Sequence, residues 1–292
     1  MARKFCIQIN AQETPLGCRS GRAGAPEFRQ ARALVLVGRP GRRRPCLRAD
    51  FTRRRLESRN NGIQGQPLQY SGSAILTAYL PPPDTGLAVI YVDDEIIVVD
   101  KPAGLLSVPG RGEGMNDCLA SRVQAQFPDA LIAHRLDMST SGLLVLARGA
   151  QMHSQLSRFF RERQIEKRYV AVVDGLMAED EGEVSLPLIC DWPNRPRQKV
   201  DFEIGKPSQT RFRVVHRDPA SDTTRVELEP ITGRSHQLRV HMASLGHPIL
   251  GDDLYGGEAT GKAERLLLHA MDLGFSHPLT AATMQFHADA PF

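Results

Sequence analysis

The residues best suited to chemistry in this chain lie in one run, Ala133-His134-Arg135-Leu136-Asp137-Met138-Ser139-Thr140-Ser141-Gly142-Leu143-Leu144, where a polar loop feeds directly into an apolar segment. Loops fixed to rigid strands are where reactive groups concentrate, because the strand holds the loop's geometry. By itself, an aspartate such as Asp137 in that setting reads more readily as a turn former or strand-end cap than as a nucleophile. Two further polar runs stand out, Lys167-Arg168-Tyr169 and Gly233-Arg234-Ser235-His236-Gln237-Leu238-Arg239-Val240-His241. Arg158, Arg161, Arg163, Lys167 and Arg168 follow a helical register into Tyr169, and Arg195, Arg197, Lys199 and Lys206 lie in a Pro-rich loop. Either set could line a local cationic groove or simply coat a solvated face. Other chemistries fit poorly. His236 and His241 are five apart without an adjacent glutamate, which matches no zincin spacing, and Ser139 and Ser141 lack a Gly-x-Ser-x-Gly elbow. The five cysteines are odd in number, scattered and never C-x-x-C, so neither a disulfide framework nor a zinc ribbon is suggested. Cys118 and Cys190 read as small buried hydrophobes.

The segments that must position these groups begin beyond Pro81-Pro82-Pro83, a stiff boundary. From there, short alternating apolar runs are separated by turn residues. Residues 89–92 and 96–99 read as two strands around Asp93-Asp94-Glu95, and Lys101-Pro102-Ala103-Gly104 closes the second. Asn116 or Asp117 can cap a helix running to about Phe127, stopped by Pro128. Residues 143–147 form a buried strand and 150–164 a helix with Met152, Leu156, Phe159 and Phe160 at helical spacing. Strands follow at 169–173, 210–215, 225–228 and 266–273, and a helix at 235–245 ends at Gly246. Many strands lack a crossover helix, so the pattern predicts an α/β or α+β fold with a mixed, largely antiparallel central sheet flanked by helices and loops.

Charge is unevenly divided. The 292 residues carry a formal net charge of +4, but residues 1–80 hold fifteen Arg/Lys against four Asp/Glu, and the remaining 22 basic and 29 acidic residues leave the rest of the chain net acidic. The first segment lacks periodicity and is rich in Arg, Gly, Pro, Ser and Gln, a composition that buries too little apolar surface to offset its ordering entropy. It predicts a disordered basic leader over residues 1–85 and a folded domain over 86–292. Two readings of the leader stand: a basic arm that contacts phosphates, or a start codon assigned too far upstream. An apolar stretch of eighteen residues is absent and the first residues lack a secretory signal, which predicts a cytoplasmic protein.

Residues 86–292 resemble the RluA-type pseudouridine synthases. The run from His134 to Asp137 is similar to their catalytic motif, residues 101–105 to their opening strand and turn, 167–169 to their second active-site element, and 233–241 to their third. Residues 191–196, Asp-Trp-Pro-Asn-Arg-Pro, resemble the branch that modifies both a 23S ribosomal RNA hairpin and the anticodon stem-loop of certain tRNAs. The leader departs from the pattern, since it shows no S4-like module.

The resemblance implies an isomerase that breaks the N1 glycosidic bond of uridine, rotates the base and rejoins it through C5, with no cofactor or metal. In that frame Asp137 is the catalytic carboxylate, acting on ribose as nucleophile, as charge stabiliser or in proton removal. Arg239 is implied as the cation paired with Asp137; its alternative is a solvated face on a helix that buries Leu238, Met242 and Leu245. Arg135 is implied to enter the RNA stack when the target base is extruded, Tyr169 to stack on the flipped uracil, and Arg234 to bind substrate within the third element. The implied partners are structured RNAs met by a monomer. A different class of function, an RNA-folding protein with a vestigial site, would need Arg135 and Tyr169 but no nucleophile. A glycosidase would need a second flanking acid and would release free uracil.

Overall fold

The computed structural model describes residues 79–292; residues 1–78, with most of the basic leader, lie outside the described residues. In chain order the elements are β1 (Ala88–Val92), β2 (Ile96–Lys101), α1 (Leu119–Gln126), β3 (Ala130–Ile132), β4 (Ser141–Arg148), α2 (Gly149–Glu162), β5 (Glu166–Asp174), β6 (Glu181–Ser185), β7 (Leu188–Cys190), β8 (Gln198–Val200), β9 (Gln209–Asp218), β10 (Thr223–Pro230), α3 (Gln237–Ser244), β11 (Leu268–Ser276) and β12 (Thr283–His287). One sheet runs β1-β2-β4-β11-β5-β10-β9-β6, with β12 added to β11 and β3 to β4, while β7 and β8 form a separate hairpin. Among the described strands only β4 and β11 pair in parallel; the other pairings are antiparallel. This is the largely antiparallel mixed sheet that the strand spacing predicts.

The period of two along a strand explains why the central strands are apolar without interruption. Ile96 and Val98 of β2 and Leu143 and Val145 of β4 pack with Met152 and Leu156 of α2. Their neighbours Ile97, Val99, Leu144 and Leu146 point to the other face and pack with Leu119 and Val123 of α1. A third cluster joins Leu238 and Met242 of α3 to Val173, Val226 and Leu228. Burying each such side chain contributes roughly 1.5–3 kcal/mol, so the middle of the sheet is the rigid platform on which the polar loops are mounted.

Several expected details differ. The cap of α1 is Cys118, whose sulfur accepts from Ser121 N while Ser121 Oγ accepts from Cys118 N, because the Asp117 carboxylate is occupied by Arg122 at 2.7 Å. Cys190 is only half-buried. Helix α2 stops at a left-handed Arg163, and β5 begins at Glu166, so Lys167 and Arg168 extend a strand rather than a helix. Helix α3 is buried nearly all round, with Leu245 exposed at its end. The short strands β3, β6, β7, β8 and β12 carry too little periodicity to be read from sequence. Tyr79, before the triple proline, is bonded to the folded body: its hydroxyl donates to Asp117 O and accepts from Leu106 N. Among the described residues no helix is long and apolar enough to cross a membrane.

The parallel pair sets one glycine. Gly142 of β4 lies opposite Ala270 of β11 with φ +115°, and a Cβ there would meet Ala270 N and O at 2.4 Å. Only glycine permits so close a backbone approach at positive φ.

Two histidines in this frame carry a pH consequence. His241 and His269 are 0% and 1% exposed, and burial holds each down to about 4. Between about pH 4 and the ordinary value near 6.5, the unfolded chain therefore binds more protons than the folded one. Stability is full above that window and falls as the pH drops through it, by up to about 3 kcal/mol per group. Urea midpoints measured at about pH 7 and about pH 5 are expected to show this fall, and a flat response would contradict it.

Candidate active site

Asp137 is set by what lies on either side of it. Leu136 is buried in the core cluster under α1, and both its backbone groups are taken by Ser107: the N–H donates to Oγ at 3.1 Å and the carbonyl accepts from it at 2.7 Å. The carbonyl of Met138 accepts from the Gly104 N–H at 2.9 Å and from the Lys101 ammonium at 3.1 Å. Clamped on both flanks, the loop turns Arg135 and Asp137 outward, and Asp137 keeps 30% of its side chain accessible.

Lys101 is itself fully buried, and its Nζ also donates to the carbonyls of Pro102 and Leu105 at 2.9 and 2.7 Å. Three carbonyl acceptors call for the three protons of an ammonium. Burial pushes Lys101 down to about 7, opposed by attraction to Asp137. In the sequence Lys101 stands only in an opening turn, whereas in the fold its ammonium lies beneath the loop that carries Asp137; a lysine ending an apolar strand was the available signal.

A cleft of about 510 Å³ brings together Asp137, Arg135, Tyr169, Arg234 and Arg239, all five residues singled out from sequence. Tyr169 packs against the clusters under α1 and α3. Burial, with the charge of Asp137 adding to it, holds its phenol well above the ordinary tyrosine range, so the hydroxyl stays protonated and can donate. His134 stacks on Phe160 at 4.1 Å and accepts from Val145 N at 3.1 Å. Burial pushes it down to about 3, which makes it a neutral brace for the start of the loop.

The expected ion pair between Arg239 and Asp137 is not formed. Arg239 is 2% exposed, and its guanidinium is bound by Asp252 at 2.8 and 2.6 Å and by Asp253 at 2.8 Å. A fork of planar donors is best satisfied by a carboxylate that can meet two of them at once, and the turn after α3 presents one. The Asp137 carboxylate is instead 3.9 Å from His236 Nε2. The solvated-face alternative for Arg239 also fails, since the side chain is buried. Asp252, Asp253 and Tyr255 were missed in sequence because their partners lie on other elements; the turn-rich run Gly251-Asp252-Asp253-Leu254-Tyr255-Gly256 was their only trace, while His236 stood in the third polar run with no role of its own.

The charges lining the cleft are sorted. Arg135, Arg161, Arg163, Lys167 and Arg234 face it, and none has a carboxylate within 4.0 Å among the described residues. On the sheet's other surfaces, Arg211, Arg213 and Arg217 are paired with Glu183, Glu227 and Asp180. A net-acidic body thus gathers five unpaired cations at this cleft, the local cluster that polyanion binding requires.

A family model described as RNA pseudouridylate synthase matches residues 95–244. The chain belongs to this family. It isomerises uridine in RNA to pseudouridine. The dual-specificity RNA pseudouridine synthase RluA of Escherichia coli K12 is 54% identical over 215 residues, covering 73% of this chain and 98% of that protein. The protein of the same name from Pasteurella multocida is 51% identical over 218 residues, covering 74% and 99%. Among solved structures, human RNA pseudouridylate synthase domain containing 1 matches with a TM-score of 0.62 and 30% identity over 73% of this chain and 87% of that one.

Lys101→Met tests the clamp under the synthase loop. Lowering an ammonium from 10.5 to about 7 corresponds to a net cost of roughly 5 kcal/mol for keeping it charged in this setting, which the substitution relieves. Against it stand the carbonyls of Pro102 and Leu105, left without that donor at about 1–3 kcal/mol each, while Met138 O keeps Gly104. The two nearly cancel, so the expected change in stability is under about 2 kcal/mol, yet turnover falls about ten-fold or more as the loop loosens. Denaturant melts and a pseudouridine assay on the same variant check both halves; full turnover would rule out the clamp.

Proposed function

We propose that the chain modifies uridines in hairpin loops of both 23S rRNA and tRNA, the latter in the anticodon stem-loop, using Asp137 on a base flipped out of the RNA. The observation that carries this reading is the single cleft that holds Asp137 and Tyr169 beneath a rim of unpaired cations. In this reading the Asp137 carboxylate acts at the ribose of the target, as nucleophile or as the group that stabilises charge and moves a proton. The Tyr169 ring supports the extruded uracil and its protonated hydroxyl donates to it. Arg135, exposed beside the carboxylate, fills the vacated space in the RNA stack. Arg234, exposed at the rim, contacts phosphate. Arg239, bound to Asp252 and Asp253, shapes the cleft wall and acts on Asp137 only at longer range.

The relatives' dual specificity supports two RNA classes, and residues 191–196 form the tip of the β7–β8 hairpin, where Trp192 is 67% exposed with the Arg195 guanidinium 4.8 Å from its ring centre. A cation-backed aromatic at an exposed turn suits stacking on an unpaired base. The protein works in the cytoplasm, where both RNA classes reside, as a monomer without cofactor or metal. Residues 86–292 constitute the catalytic domain, and the leader is a separate basic segment.

Asp137→Asn keeps the volume and removes the charge. It is expected to cut pseudouridine formation by about 1,000-fold or more with little change in melting temperature, and conversion at a normal rate would refute the role. Mapping pseudouridines in RNA from cells lacking the protein tests the substrates. Sites are expected to vanish from both 23S rRNA and tRNA, and loss from one class alone would remove the dual claim.

A further inference from the structure

His236 has features that its place in the fold does not require. It is the N-cap of α3, yet its side chain makes no capping bond and its backbone is left-handed, with φ 53°. Ser, Thr, Asp or Asn is the usual residue there, and a non-glycine held at positive φ is strain that the surroundings must maintain. The imidazole instead spans the cleft wall. Nε2 lies 3.9 Å from Asp137 Oδ1, and Nδ1 is 2.8 Å from the hydroxyl of Tyr255. That hydroxyl accepts from the backbone N–H of Gln198, the first residue of β8, at 2.7 Å. The guanidinium groups of Arg197 and Arg239 lie 5.5 and 5.2 Å from the centre of the Tyr255 ring and hold it in place.

The carboxylate of Asp137 on the Nε2 side favours the tautomer that carries the imidazole proton on Nε2. In that tautomer Tyr255, which accepts from Gln198 N–H, donates its hydroxyl proton to His236 Nδ1. The charged and titratable groups around the ring are Asp137, Tyr255, Arg239, Asp252 and Asp253. Burial is the largest influence and lowers the imidazole below its ordinary value, which suits a neutral donor.

We propose that His236 is a positioning residue for Asp137, oriented through Tyr255 by the docked β7–β8 hairpin. The proposal rests on the reading of Asp137 as catalytic. The hairpin that presents Trp192 is also the element whose backbone completes the relay, so seating the hairpin on RNA and orienting the carboxylate are linked. The effect falls on the chemical step and leaves affinity for RNA alone.

Single-turnover rates and RNA affinity, measured on a tRNA anticodon stem-loop transcript, separate the outcomes. Tyr255→Phe is expected to slow the reaction about ten-fold with the apparent Kd unchanged within about two-fold. His236→Ala slows it further, and His236→Gln, which keeps an N–H donor, recovers part of the loss. The double variant Tyr255→Phe/His236→Ala is no slower than His236→Ala, because both act through one path. Multiplicative losses, a wild-type rate for Tyr255→Phe, or weakened binding at an unchanged rate would each overturn the relay. If His236→Ala fails to fold, Tyr255→Phe and His236→Gln decide. Asp137→Asn runs alongside: activity in that variant defeats the catalytic reading itself, whereas an inactive Asp137→Asn beside a full-rate Tyr255→Phe defeats the relay alone.

Discussion

The buried ammonium of Lys101 is the constraint on which the site depends. Its three donors bind carbonyls from its own turn and from Met138, so one charge ties the end of β2 to the loop that carries Asp137. A lysine out of water is costly, and a protein keeps one where its bonds fix something that an apolar residue could not. Here they fix the path of three residues, with Leu136 driven into the core and Arg135 and Asp137 left facing the cleft. Because the ammonium lies close enough for its charge to be felt by Asp137, the clamp also puts positive potential under the carboxylate.

Sheet register extends that constraint across the molecule. Lys101 pairs with Gly142, Gly142 with Ala270, Ala270 with Tyr169, and Tyr169 with Leu228. The clamp, the parallel contact that only glycine allows and the cleft tyrosine therefore share one row. A slip of one residue in any of the pairings between Lys101 and Tyr169 would put those two side chains on opposite faces of the sheet. The close approach at Gly142 resists such a slip between β4 and β11, since any other residue there would drive its Cβ into the Ala270 backbone.

The far wall follows a different principle. Helix α3 is buried nearly all round, so its polar residues are satisfied inside the protein. Gln237 accepts from Thr232 and Arg234 N and donates to Gln209 O and Thr210, using its whole amide. Arg239 is neutralised by Asp252 and Asp253. With Arg239 paired, the cations that this cleft offers a polyanion are those at its rim.

The sequence by itself determined the fold class, the strand-rich order of elements and the five residues that meet at the cleft, because these rest on local periodicity and on motifs contiguous in the chain. It also carried the separation of a basic leader from a net-acidic body. Tertiary structure decided the partners. Arg239 looked like the counter-ion of Asp137 because both stand in motifs of one family, yet the turn at Asp252 offers two carboxylates in better geometry. Lys101 looked like part of a turn, and His236 like a residue with no metal to bind. Their roles come from Met138, Tyr255 and Gln198, which lie 37, 19 and 38 positions away along the chain. Hydrogen bonds are short and directional, so which donor meets which acceptor is settled only once the sheet has closed and brought distant segments within about 3 Å of each other.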